Sequence, residues 1–569
     1  MAEDSELIKI VFLVNCPPFD GNTPFNQPLG GTESAIVYIA RELAKTGNQV
    51  IVFNDCKKKK KIENVTYDKQ NNFLDFINNN ETDILVFVRG FPNFLNLKAK
   101  IVIFWTGDDY DQKLNKSFAE HSFCGELTDK IFVLSNYQKK NFHEKLKIPN
   151  KKFFLTRNGI NSEFYQITKP RKKFKLVYTS APYRGLNLLI DIFPEIKKKI
   201  PEAELYIFSS MITYGFDKEY DQAEYGNIYQ KLKLIPGIKL LSPLSQPALS
   251  EELKEAYLMV YPNNFPETSC IAALEAQAAG VPVISSDIGA LPETIADTET
   301  GFLIKGIPDS MQYKTNFINA VLELINNENL WQIMSKNAEL SIKNKFLWKI
   351  IADEWINEFN NLLSEHQLTK EFLLKIKETL LSLVEFDDKY ACEIYNKLIK
   401  VTNFISLLTI RKEILELIIK NENISDFLKL NICLKLGEIE FISNRENAAI
   451  KYFILATNIY LSEEFNLNEI YSIEFAIFET INYYQYNNTE LALKICQQAL
   501  KYMRESCLLK IKLCDFLILK KRFKEALIML DKANILLVKR NITNLVNKDF
   551  FFEIINYRIT YCQQKSKEK

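Results

Sequence analysis

The chain has 569 residues, with 72 Lys and Arg against 71 Asp and Glu; a net charge of +1 leaves no global attraction for nucleic acid. Hydrophobic residues make up 47% and charged residues 25%, which excludes a mainly disordered chain, and the length implies about three domains, since it exceeds what one core can serve. Ten cysteines without a CxxC pair, and three histidines (His121, His143, His366) far from any ligand-spaced partner, argue against a zinc site.

MAEDSELIKI at the N-terminus is acidic before its first apolar run. No secretory leader is therefore expected, and the cysteines read as reduced core thiols of a cytoplasmic protein. No apolar run approaches the roughly 18 residues a membrane span needs, so the expected membrane contact is at most peripheral, at the inner face.

The first third alternates short β-rich runs with helical patterns: IKIVFLVN (8–15), QVIVFN (49–54), DILVFV (83–88), KIVIFW (100–105) and KIFVLS (130–135). Continuous apolar strands bounded by polar turns are covered on both faces, the pattern of a parallel, doubly wound sheet. GGTESAIVYIARELAKTG (30–47) has apolar residues at helical spacing and stops at Gly47. The Lys57–Lys61 run after the second strand reads as a solvated loop, with contact to an anionic lipid surface or a lipid-linked acceptor as the alternative, the acceptor being a sugar, a lipid-linked molecule or a protein.

TKPRKKFK (168–175) reads as a linker. A second series follows: KLVYTS (175–180), AELYIFSS (203–210), GIKLLS (237–242), LMVYP (258–262) and VPVISS (281–286), with helical segments such as 185–200 between them. The expected fold class is therefore α/β, with two Rossmann-like domains, 1–170 and 171–364, facing across a cleft. Ligands in such sheets bind at the carboxyl ends of strands, which places the site in that cleft.

Beyond about residue 365 only helical patterns remain. Ala pairs seven apart, at 449 and 456, 492 and 499, and 526 and 533, fall at intervals of 43 and 34 residues and lie on one helix face. The stretch 434–456, with Leu436 and Gly437, resembles a tetratricopeptide repeat, whose period is about 34 residues. Residues 365–569 are expected to form an all-α helical-repeat domain that could dock a protein partner; an irregular helical bundle is the alternative.

Three features carry chemistry. PLGGTES (28–34) puts Gly30 and Gly31 between a strand and a helix, where backbone N–H groups can approach a phosphate; a plain tight turn would read the same. SAPYRGLNLL (180–189) puts Arg184 and Gly185 at a helix start, where an Arg can bond a diphosphate. FPETSCIAALEAQAAG (265–280) holds Glu267 on a loop, Thr268 or Ser269 as the expected helix cap, and Glu275 about two turns along.

Together these residues resemble the retaining glycosyltransferases of family 4, which have a B-type two-Rossmann fold. The match is the Glu-x7-Glu element ETSCIAALE with AQAAGVPVISSDIGALPETI (276–295) after it, the Gly-Gly loop, and the Arg-Gly of the second domain. FLWKIIADEW (346–355) looks like the closing helix, about 345–363, that packs back on the first domain in such proteins. The resemblance covers about residues 7–363 and implies transfer of a hexose-type sugar from a nucleotide sugar to an acceptor hydroxyl with retention. It implies Glu275 on the ribose hydroxyls and Glu267 on the donor sugar. The main-chain N–H groups of Thr268, Ser269 and Cys270 would face the donor, with Arg184, Gly30 and Gly31 at the diphosphate. No metal or cofactor is then required. Two positions depart from the family: Thr179 or Ser180 stands where a second basic residue is usual, and TGDDYDQ (106–112) lacks the acceptor-side His, leaving Asp108 or Asp109 to take the acceptor's proton or to be a solvated loop carboxylate. The competing expectation is a degenerate core that serves as an adaptor through its helical tail.

Overall fold

The computed structural model describes residues 7–89, 98–112, 128–146, 148–166, 170–383, 385–401, 404–443, 445–462, 476–478, 480–482, 484, 489–503, 506–539, 558–559 and 562–563. His121 and linker positions 168 and 169 lie outside them.

The first sheet has eight strands: β1 (Lys9–Val14), β2 (Gln49–Asn54), β3 (Lys60–Ile62), β4 (Val65–Lys69), β5 (Thr82–Val88), β6 (Ala99–Trp105), β7 (Lys130–Val133) and β8 (Phe153–Leu155), in the order β3-β4-β2-β1-β5-β6-β7-β8. All neighbours pair in parallel except β3 with β4. Side chains of a strand alternate between faces, and here both faces are covered. Ile10, Phe12 and Val14 enter the core that includes the Gly31–Lys45 helix, while Val11 and Leu13 enter a second core with Phe73, Phe104 and Phe142. The Lys57–Lys61 run is not all loop. Lys60 and Lys61 begin β3, Lys59 pairs with Asp68 at 3.0 Å, and Lys60 pairs with Asp20 at 2.5 Å.

The second sheet has six parallel strands: β9 (Lys175–Tyr178), β10 (Glu204–Phe208), β11 (Ile238–Leu241), β12 (Leu258–Tyr261), β13 (Val283–Ser286) and β14 (Gly301–Ile304), in the order β11-β10-β9-β12-β13-β14. Two α/β domains with helices on their sheets, and a helical region after them, are the fold class read from the sequence.

The chain crosses between the domains twice, and the two crossings touch. Ile160 N–H donates to Phe346 O at 2.6 Å, and Trp348 N–H to Ile160 O at 3.4 Å. The helix Trp348–Ser382 then returns to the first domain. Trp355, fully buried, lies edge-on to Trp105 (4.9 Å) and Phe132 (4.8 Å), and its Nε1 donates to Thr156 Oγ1 at 2.7 Å. This helix runs unbroken through 364 and 365, where the sequence suggested a domain boundary.

The tail continues as helices Asp388–Lys400, Leu408–Ile419, Asp426–Ile442, Glu446–Ser462, Thr489–Tyr502, Cys507–Leu519 and Phe523–Lys539. All six alanines of the repeated pairs are buried. Gly437 faces Phe453, whose ring fills the space a Cβ would take, so the two helices of that hairpin approach closely. Among the described residues no helix is long and apolar enough to cross a membrane.

Candidate functional site in the interdomain cleft

The carboxyl ends of both sheets open onto one cleft of about 440 Å³. Its second-domain wall is built by two loops that pack backbone to backbone. Gly185 has φ +86°, and a Cβ there would collide with Pro262 O, so only glycine lets the Arg184 loop lie against the loop after β12.

Glu267 is 2% exposed and held from three sides. Tyr261 donates its hydroxyl to Oε1 at 2.6 Å, Ala290 N–H donates to Glu267 O at 2.7 Å, and Arg184 Nε stands 3.4 Å from Oε1. Gly289, at φ +63°, closes over the Glu267 backbone, where a Cβ would meet O and N at 2.6 and 2.7 Å. A buried carboxylate needs such partners, since desolvation without them is costly. The Arg184 guanidinium lies over the rings of Tyr183 (5.2 Å), Phe265 (5.4 Å) and Tyr214 (5.9 Å), which confine it at the cleft while its side chain stays 21% exposed.

The helix expected after Thr268 or Ser269 begins at Ile271, with Cys270 at the cap position and no side-chain cap bond. Thr268 and Ser269 line the cleft, and Cys270 is buried beneath them. Thr268 points across the gap instead of capping: its hydroxyl donates to Gly107 O of the first domain. Glu275, inside the helix Ile271–Ala278, also lines the cleft. Burial pushes its carboxyl up to about 7, against the pull of a hydrogen bond with Tyr165 on the crossover segment. Ser180, at the place of the absent second base, is buried and bonds the Tyr261 hydroxyl at 3.3 Å.

On the first-domain wall, Gly31 starts the helix Gly31–Lys45 and faces Ile271, which would stand 3.0 Å from an added Cβ. Gly30 is the cap residue, with the Glu33 carboxylate occupying the space beside its Cα. The two acceptor-side candidates separate. Asp108 lines the cleft, whereas Asp109 bonds Asn141 Nδ2 at 2.6 Å and Tyr110 N–H at 2.8 Å, and burial raises its pKa. Among the described residues no group of three or more His, Cys, Asp or Glu side chains is placed to hold a metal.

Residues 160–341 match the family described as "Glycosyl transferases group 1". The second domain is similar to that family over these residues. A capsular polysaccharide biosynthesis glycosyltransferase of Staphylococcus aureus is 26% identical over 284 residues, which is 49% of this chain and 68% of that protein. An uncharacterized glycosyltransferase of Methanocaldococcus jannaschii is 28% identical over 39% of this chain and 56% of its own length. Among solved structures, sucrose-phosphate synthase from Thermosynechococcus elongatus superposes with TM-score 0.50 at 14% identity, over 63% of this chain and 99% of that one, a likeness of fold.

In the cleft, residues that the motifs did not single out stand beside those that they did. Tyr183, Tyr214 and Phe265 surround Arg184, and Arg89 reaches into the cleft from the end of β5. Arg89 had one legible signal, its place directly after the carboxyl end of a strand, where such sheets bind ligands.

Proposed function

We propose that the chain transfers a hexose-type sugar from a nucleotide-sugar donor to an acceptor hydroxyl, with retention of anomeric configuration, in glycan or glycoconjugate synthesis. The observation that carries this reading is the contact of Arg184 with Glu267, 3.4 Å apart in a cleft that Glu275 also lines. Glu267 grips hydroxyls of the donor sugar, Glu275 those of the ribose, and Arg184 the diphosphate. Departure of a nucleoside diphosphate builds negative charge, and a guanidinium with the main-chain N–H groups of Thr268, Ser269 and Cys270 offsets it without reorganising. The acceptor oxygen attacks the face from which the diphosphate leaves, so neither glutamate acts as a nucleophile. No metal enters this scheme.

A panel of UDP-, GDP- and ADP-sugars, read by thermal shift and donor hydrolysis, tests it; a chain that binds and hydrolyses none of them is not such an enzyme. Glu267→Ala is expected to lower turnover by roughly 10²-fold or more, and unchanged turnover would remove its role. Activity is expected to survive EDTA, and loss restored by a divalent cation would refute the metal-free scheme. The degenerate-adaptor reading gains no support from a cleft that buries two carboxylates beside an arginine.

A further inference from the structure

Arg89 follows β5 at φ +54°, a left-handed backbone that a long side chain adopts only where its surroundings hold it. Its guanidinium spans two carboxylates. Nε lies 3.1 Å and Nη2 3.5 Å from the two oxygens of Asp108, and Nη1 lies 3.5 Å from Glu33 Oε1. Glu33 is 5% exposed in the first turn of its helix, and its other oxygen fills the space beside Gly30. The glycine at position 30 thus admits the Glu33 carboxylate, Glu33 anchors Arg89, and Arg89 grips Asp108.

The same wall meets the donor wall at a single-residue offset. Thr268, next to Glu267, donates its hydroxyl to the carbonyl of Gly107, next to Asp108. Asp108 therefore faces the cleft beside the residues that grip the donor sugar in the reading above, on which this step rests. A guanidinium committed to two carboxylates is an orienting group, and diphosphate binding falls to Arg184 on the opposite wall.

We propose that Arg89, anchored by Glu33, is a positioning residue that holds Asp108 toward the attacking hydroxyl. In the transfer step the acceptor O–H bond breaks and its proton passes to Asp108. The acceptor oxygen bonds the anomeric carbon, and the bond from that carbon to the diphosphate oxygen breaks with its electron pair leaving on the diphosphate.

The test uses the full chain, with hydrolysis of UDP-glucose, GDP-mannose and ADP-glucose (water as acceptor) and calorimetric binding of UDP, GDP and ADP. Arg89→Ala and Asp108→Asn are each expected to lower kcat by roughly 10²-fold while nucleotide Kd stays within about twofold. The double variant is expected to lose no more than the worse single, because both remove one unit. Arg89→Lys keeps the charge without the guanidinium's reach to both carboxylates and is expected to recover only part of kcat; it also carries the comparison if Arg89→Ala melts early. The inference is overturned by wild-type kcat in Arg89→Ala or Arg89→Lys, by a loss that falls on nucleotide Kd, or by losses that add in the double variant. A wild-type chain that turns over no donor defeats the transfer reading and this one with it. The two failures thus show in different proteins.

Discussion

Glu275 and Glu267 are eight positions apart and both buried, yet their surroundings differ. Glu267 has Tyr261, Arg184 and a backbone clamp, whereas Glu275 has the Tyr165 hydroxyl and an apolar helix around it. Its ordinary value near 4.5 is pushed up to about 7 by burial, so the folded state binds a proton that the unfolded state has released between those values. Stability contributed by that proton is complete below about 4.5 and is lost as pH rises through about 7, at up to about 1.4 kcal/mol per pH unit. Glu275→Gln should therefore raise the melting temperature at pH 8 and leave it nearly unchanged at pH 4.5, as thermal melts across that range would show. Nucleotide binding should behave in the opposite sense. If the carboxylate accepts ribose hydroxyls, affinity rises with pH up to about 7 in the wild type and stays flat in Glu275→Gln. A flat wild-type profile would take Glu275 off the ribose.

The elements that were legible in the sequence share one physical property. β1, β2, β5, β6 and β9 are buried along most of their length, so each appears as an unbroken apolar run. β3 and β8 were not legible, because an edge strand of three residues, one of them Lys-Lys-Ile, carries no core pattern. The helix start at Ile271 was misplaced by one or two residues: Thr268 has the chemistry of a cap but spends its hydroxyl on the other domain, a partner 161 positions away that no local rule anticipates. Arg89 was missed for the same reason, since its partners, Glu33 in the first turn of the Gly31–Lys45 helix and Asp108 on the loop after β6, are far from it in the sequence. Gly437 was legible as a repeat signal, and its cause is now visible in the Phe453 ring that lies against it. Gly437→Ala should destabilise the hairpin of Asp426–Ile442 with Glu446–Ser462 by about 1–3 kcal/mol through overpacking, less whatever the better helix propensity of Ala returns. Denaturant melts of Gly437→Ala alone and combined with Phe453→Leu would check this. Relief in the double variant is the expected outcome, and equal loss in both would rule out the clash.

At the scale of the molecule, the tail divides in a way that composition did not reveal. The core under the first sheet, with Phe12, Trp105 and Trp355, continues without a break through Leu373, Leu380, Ile394, Phe404, Leu415 and Leu428 to Ile439. A separate core begins around Leu430 and holds the three alanine pairs. The joint is polar as well as apolar. Ser406 Oγ donates to Lys100 O at 2.8 Å, Ile405 N–H to Asp129 Oδ1 at 2.9 Å, and His366 bonds Ser406 Oγ at 2.9 Å. The His366 ring is pushed down to about 4 by burial, so it joins this contact as a neutral group at physiological pH. The first tail helices are thus part of the first domain's support, whereas the later ones are a module carried on it. A chain ending at residue 364 would cut the Trp348–Ser382 helix midway and strip those leucines and isoleucines of their partners. Each fully buried side chain of this kind contributes about 1.5–3 kcal/mol, so losing several exceeds the whole stability of a typical domain, about 5–15 kcal/mol. That chain should aggregate or melt far below the full one. A chain ending at Ser462 keeps the shared core and the Gly437 hairpin, and should retain a cooperative melt and donor hydrolysis. If the 364-residue chain instead melts and turns over like the full protein, the helices to Ile439 are not structural support for the first domain, and the whole tail is a separable module.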